Sequence, residues 1–388
     1  MQSREISRLE YLDGLRALAA LYVVLFHAGV CFTTPALPTL WRAVRHCLTF
    51  GHDAVAVFIV LSGYCLMIPA ARRDGHVANG IPGYFGRRAW RILPPYYAAL
   101  LLSLVVLAAF PTLHVKTSTI WDDTYPALAP GPIALHLAVI HNLFPAYVHT
   151  INGPLWSVAT EWQIYFFFPF LLLPVWRRFG PALTVCVGFG VGCVPVWLIP
   201  NVAAVMNPWY LGLFALGMCA AGIGFSPRPS DQALRAHPSW RVVFLILLLG
   251  LALGVSVFVK AWFQHIVFSD AFVGATTAAL LVHYTRLALA DAGAARPLAL
   301  RCLESRPLVV LGRFSYSLYL SHLPVVAACY FVLRRYSLSE RGLMLALLAS
   351  AVPASLAVAY AFFLGVERHF LRAPRWLGNA SAGSAKRA

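Results

Sequence analysis

Charge is what this chain of 388 residues has least of. Charged side chains make up 11% of it against 60% hydrophobic ones, and 14 acidic residues stand against 30 basic ones. A polar supply this thin, with a mean hydropathy of +0.73, excludes a soluble domain and points to a polytopic membrane protein. Organised cysteine is also missing. Cys31, Cys47, Cys65, Cys186, Cys193, Cys219, Cys302 and Cys329 are scattered, with no CxxC and no Cys/His spacing of the zinc type, so no metal site is expected. Cys31 and Cys47 fall in one expected outer loop, where they either pair or stay as free thiols. The first apolar run ends without a cleavage motif, so a cleavable leader is not expected. No long internal repeat is visible, which withdraws support from an inverted-repeat transporter.

Long apolar runs fill the chain instead. Ten spans are expected near 12–31, 52–71, 92–111, 154–176, 181–200, 208–225, 242–260, 266–285, 308–333 and 342–366. A shorter apolar stretch, 132–148, is interrupted by His136, His141, Asn142 and Pro145, and reads as an outer loop or re-entrant segment. The predicted architecture is an all-α transmembrane bundle over 1–372, with a disordered tail from 373 to 388. There is no room beside it for a large soluble domain.

The net charge of +16 sets orientation rather than nucleic-acid binding. If the N-terminus is cytoplasmic, most loop arginines, including Arg72, Arg73, Arg87, Arg88, Arg177, Arg178, Arg228 and Arg235, lie on that side with the basic tail. Only Arg42, Arg45, Lys116, Lys260, Arg334, Arg335 and Arg341 fall opposite. Both termini are therefore expected in the cytoplasm.

Against this apolar background a few polar residues stand out. The first span carries Asp13, Arg16 and His27. A charge at the bilayer centre costs about 3 kcal/mol or more, so it usually has a task. Eleven helical steps at about 100° put Arg16 and His27 on one face, ~16 Å apart along the axis. A cation near one surface and a titratable base deeper in suit a ligand with an anionic end and a reactive end. In the second span, His52 and Asp53 sit at the outer mouth, and Ser62-Gly63 suits close helix approach. Arg87, Arg88 and Arg91 fall within about one turn at the inner surface. They suit phosphate binding, or ordinary interfacial anchoring. Glu161 lies in an aromatic span with Trp156 and Ser157 just before it. It is expected ~12 Å below the outer end and His27 ~6 Å below, so the two could meet, either as a functional pair or as a lock between helices. The segment Leu311-Gly-Arg-Phe-Ser-Tyr-Ser-Leu-Tyr-Leu-Ser-His322 repeats the first span's pattern, with Arg313 inward, Tyr316 between, and His322 further out. Such a set serves a proton-coupled transporter, a scaffold for envelope assembly, or an enzyme taking an anionic donor from one side and an acceptor from the other.

These motifs resemble the acyltransferase 3 family of integral-membrane acyltransferases, over Tyr11 to about Arg372. Leu12-Asp-Gly-Leu-Arg16 with His27 is similar to the family's first-span signature. Val57-Phe-Ile-Val-Leu-Ser-Gly-Tyr64 is similar to its Ser-Gly-Phe motif, with Tyr64 in place of the usual Phe. Arg87-Arg-Ala-Trp-Arg-Ile-Leu-Pro94 resembles its arginine motif, and Leu155-Trp-Ser-Val-Ala-Thr-Glu161 its Trp-Ser…Glu motif. The late motif ends on His322, with Ser321 where Trp is common, and Glu367-Arg-His369 lacks the family's closing Pro.

The resemblance implies a membrane enzyme of the cell (inner) membrane that moves an acetyl or other short acyl group from cytoplasmic acetyl-CoA to a hydroxyl of an extracytoplasmic carbohydrate. Acyl-CoA, the glycan acceptor and the bilayer would be its partners, with no nucleic acid and no permanently bound cofactor. The implied catalytic set is His27, Glu161 and His322. The implied donor set is Arg16, Arg87, Arg88, Arg91 and Arg313, and Asp13, Asp53, Ser62, Trp156, Ser157 and Tyr316 shape the pocket. A secondary transporter of a small metabolite is the alternative reading.

Overall fold

The computed structural model describes residues 9–29, 39–110, 128–290 and 296–374. Cys31, within the segment 30–38, and the tail from 375 onward lie outside the described residues. Every regular element among the described residues is helical. The chain runs through α1 (Glu10–Gly29), α2 (Thr39–Cys47), α3 (Gly51–Ala71), α4 (Gly80–Ala109), α5 (Pro130–Leu137), α6 (Leu155–Phe167), α7 (Leu173–Phe179) and α8 (Pro181–Leu198). It continues through α9 (Pro200–Met206), α10 (Tyr210–Phe225), α11 (Pro229–Ala236), α12 (Trp240–Ser256), α13 (Val259–Gln264) and α14 (Ile266–Leu289). It closes with α15 (Leu298–Leu303), α16 (Arg306–Arg313), α17 (Ser315–Leu333) and α18 (Glu340–Gly365).

Among the described residues, eight helices are long and apolar enough to cross a membrane, and ten when two bent pairs each count as one span. The bends have chemical causes. Between α9 and α10 the axis turns by 43° at Asn207, which adopts a left-handed conformation ahead of Pro208. Between α6 and α7 a π-turn covers Phe168–Leu172, where Pro169 has no amide proton to give. Large apolar side chains such as Leu101, Phe170, Ile246 and Leu249 face outward, as a lipid surround allows. The interrupted stretch 132–148 forms α5 and a short 3-10 turn at His141–Leu143, in keeping with a loop.

The expected span 308–333 is corrected: it is two helices, α16 and α17, separated at Phe314. The break lets α16 lie directly on α1. A Cβ on Gly312 would come within 2.1 Å of the Asp13 carbonyl oxygen, and one on Gly14 within 2.1 Å of the Leu303 carbonyl oxygen. α3 and α10 meet in the same way, with Gly63 against the Phe214 carbonyl and Gly217 against the Val60 carbonyl, each at 2.0 Å. Only glycine permits such backbone contact. These two seams fix α1, α3, α10 and α16 around the polar residues.

Candidate active site

Two cavities lie end to end in the bundle. The first, of about 430 Å³, opens toward the N-terminal half of α1. Arg16 from α1, Arg88 and Arg91 from α4, and Arg313 from α16 all line it. The Arg16 guanidinium faces Asp13 at 3.6 Å and donates to the Cys65 sulfur at 3.0 Å. Arg91 is tied to Glu367, with 2.7 Å between Nη2 and Oε1, and lies over the Tyr316 ring. The other Glu367 oxygen accepts from the backbone and hydroxyl of Ser317, so this fully buried carboxylate is held from two helices. Arg88 and Arg313 form no ion pair among the described residues. The cavity thus offers guanidinium groups to an anion, the forked geometry that suits phosphate.

The second cavity, about 320 Å³, lies toward the C-terminal end of α1. His27, His52, His149 and Trp156 line it. The imidazole of His27 meets that of His322, with 3.2 Å between His27 Nδ1 and His322 Nε2. The surroundings decide where the protons sit. His322 Nδ1 lies 3.0 Å and 2.8 Å from the carbonyls of Leu318 and Tyr319, so it carries the hydrogen and donates. His322 Nε2 then holds a lone pair and accepts. His27 Nδ1, which also lies 2.9 Å from the Val23 carbonyl, faces two acceptors and must be the donor. The lone pair of a neutral His27 is therefore on Nε2. A backbone-locked histidine here does what a carboxylate does in the common His–Asp pair: it sets the tautomer of the working ring.

The wall between the cavities is thin. Val55 and Tyr319 line both. On α6, Trp156 faces the second cavity and Ser157 the first. The Tyr319 hydroxyl pairs with the Ser157 hydroxyl at 2.6 Å and donates to the Pro154 carbonyl at 3.2 Å.

Three placements correct the sequence reading. Glu161 does not partner His27. It lines the first cavity with Arg16 and accepts from the Tyr165 hydroxyl at 2.6 Å. The reason is length: five residues beyond Trp156 is ~7.5 Å of helix, enough to carry Glu161 past the wall. Arg87 does not join the other arginines, because its guanidinium donates to the Ala78 carbonyl at 2.6 Å. Asp53 lines neither cavity and receives the Trp262 indole N–H at 3.4 Å. Ser62 lines the first cavity and bonds the Tyr165 hydroxyl, while its neighbour Gly63 makes the close approach. Asp13, Ser157, Tyr316 and Arg313 all line the first cavity.

The sequence reading missed Tyr319, whose position three residues before His322 was its only signal. It also gave no role to Asp270 of α14, a fully buried carboxylate in an apolar helix. Among the described residues no three His, Cys, Asp or Glu side chains converge as a metal site.

Comparison with known proteins gives these cavities a chemical setting. An acyltransferase MdmB of Streptomyces mycarofaciens is 28% identical over 383 residues, covering 90% of this chain and 89% of that protein. Protein 2 in the picA locus of Rhizobium radiobacter is 30% identical, covering 46% of this chain and 85% of that protein. The O-acetyltransferase OatA of Staphylococcus aureus is 25% identical over 84% of this chain, which spans 53% of OatA's length. No solved structure matches the chain. The sequence profile of the acyltransferase domain family matches residues 9–364, nearly all of both cavities' walls, and the chain belongs to that family of acyltransferases.

Proposed function

We propose that this membrane acyltransferase takes a short acyl group, acetyl by default, from acyl-CoA in the first cavity and delivers it to a carbohydrate hydroxyl in the second. The observation that carries this reading is the pairing of the cavities: one ringed by guanidiniums, the other holding His27, with Val55 and Tyr319 lining both. Arg88 and Arg313 bind the phosphates of CoA, and Arg16 contacts the arm as it enters the bundle. The thioester reaches the wall beside Tyr319. His27 Nε2 removes the proton of the acceptor hydroxyl as the oxygen attacks the acyl carbon. The CoA thiolate leaves and takes up that proton.

The basic loops support a cytoplasmic donor side and an extracytoplasmic acceptor side in the cell (inner) membrane. The similarity to OatA, an O-acetyltransferase, supports acetyl and oxygen as donor group and acceptor atom. A transporter would need a continuous path where Val55, Tyr319 and the Ser157–Tyr319 bond form a wall.

The test is purified protein with acetyl-CoA labelled on the acetyl group and an envelope glycan extract. Label on the glycan and free CoA, both lost in His27→Ala, are the expected result. Label retained on the protein and lost in His27→Ala would make His27 the acyl carrier instead. No CoA release by the native protein would overturn the donor assignment.

A further inference from the structure

The second cavity holds another imidazole that the reaction just described does not use. His52, at the start of α3, is 27% exposed at its side chain and lines the cavity with His27. Its Nε2 lies 2.9 Å from the Oδ2 of Asp270, whose side chain is fully buried in α14. The same carboxylate oxygen accepts the Trp209 indole N–H at 2.7 Å. The Tyr210 hydroxyl lies 3.0 Å from His52 Nε2, and Trp156 lies parallel to the ring, at 11° with centroids 6.0 Å apart. The ring is thus gripped along its Nε2 edge and on one face. Among the described residues Nδ1 has no hydrogen-bond partner.

The two histidines of this cavity have different backing. His27 rests on a neutral ring, which suits a base. His52 rests on a buried carboxylate, which supplies the counter-charge of an imidazolium. Asp270 is also short of partners: its Oδ1 is buried without a hydrogen bond, so the carboxylate depends on His52 for a counter-charge. Acyl transfer to a hydroxyl needs a base for the proton and a donor for the oxyanion that develops on the acyl carbonyl. Two other donors around the cavity are turned away from it: the Asn207 amide to the Val205 carbonyl, and the Tyr319 hydroxyl to Ser157 and Pro154.

We propose that His52, held by Asp270, is the oxyanion donor of the transfer, opposite His27. This rests on the acyl-CoA reading above. As the hydroxyl oxygen bonds to the acyl carbon, the carbonyl electron pair moves onto its oxygen and is held by the His52 N–H. Collapse re-forms the carbonyl and breaks the C–S bond. The thiolate departs with the proton taken by His27. Asp270 touches no substrate; it is a positioning residue that acts through His52.

The test uses the full chain in lipid nanodiscs, measuring CoA release from acetyl-CoA with envelope glycan extract present. His52→Phe, which keeps a flat ring against Trp156 but has no N–H to give, is expected to lower kcat about a hundredfold, the usual effect of losing one oxyanion donor, with KM for acetyl-CoA unchanged. Asp270→Asn, which keeps the shape of the side chain, is expected to lower kcat about tenfold. The double variant is expected to fall no lower than His52→Phe alone, because Asp270 works only through that ring. A His52→Phe protein within twofold of native kcat overturns the proposal. So does a double loss equal to the product of the single losses, which is what two independent packing defects produce. Should His52→Phe fail to fold, Asp270→Asn alone decides, with an unchanged kcat as the overturning result. A native protein that releases no CoA refutes the underlying donor reading instead, a separate and visible outcome.

Discussion

His322 is the residue whose replacement tests the chemistry most sharply. It has two jobs in the geometry: Nδ1 donates to the carbonyls of Leu318 and Tyr319, and Nε2 accepts from His27 Nδ1 at 3.2 Å. Replacing it with leucine fills much of the same buried space and removes the acceptor. His27 Nδ1 then loses one of the two acceptors that fix its tautomer and keeps the Val23 carbonyl, one helical turn back. A buried hydrogen bond of this kind contributes about 1–2 kcal/mol. At a factor of ten per ~1.4 kcal/mol, kcat should fall about five- to thirtyfold. The donor cavity is not touched, so KM for acetyl-CoA should hold. His27→Ala, which removes the base itself, should cost about a hundredfold to ten-thousandfold. The assay is CoA release by the purified variants under saturating donor. The ordering carries the argument. If His322→Leu keeps native kcat, the two-imidazole arrangement does not set the base. If it loses as much as His27→Ala, His322 takes part in the chemistry directly and the positioning argument is wrong.

Two further outcomes follow from other parts of the structure. Arg88→Ala should raise KM for acetyl-CoA about tenfold, from one lost charge-assisted contact, while Arg87→Ala should leave KM alone because that side chain is turned to Ala78; equal effects on a donor titration would refute the separation. Outside the spans, His136 and His141 stack with centroids 3.8 Å apart, and burial pushes them down from 6.5 to about 4 and about 2. The unfolded chain therefore binds more protons than the folded one below about pH 6.5, and stability should be lost as pH falls from there toward 4. His141→Phe should flatten that loss in melting curves recorded between pH 7.5 and 4.5, and an unchanged slope would refute the assignment.

How much of this was legible in the sequence depends on the range of the interaction concerned. Helix and span positions follow from local hydropathy: among the described residues eight helices reappear as spans, and ten when the two bent pairs each count as one, because lipid satisfies no backbone group and leaves the chain little other choice. The cationic cavity was legible for a related reason: Arg16, Arg88, Arg91 and Arg313 each sit near the same end of their own span, so depth alone brought them together. Depth alone then misassigned the partner of His27. Glu161 was the expected partner; ~7.5 Å along α6 carries it away, and His322 takes the place instead. Beside the helix break at Phe314, Gly312 presses against the Asp13 carbonyl, a contact between residues about three hundred positions apart. The same holds for His52 and Asp270, 218 residues apart. Neither belongs to a pattern of its own. Asp270 is one carboxylate in a helix that otherwise reads as ordinary lipid-spanning sequence, and only the fold gives it an imidazole to face. Membrane bundles write their element boundaries in local composition, but they write their chemistry in which rare polar side chains share a depth and a face. The first is readable from the sequence alone, and the second requires the seams where glycine lets two backbones touch.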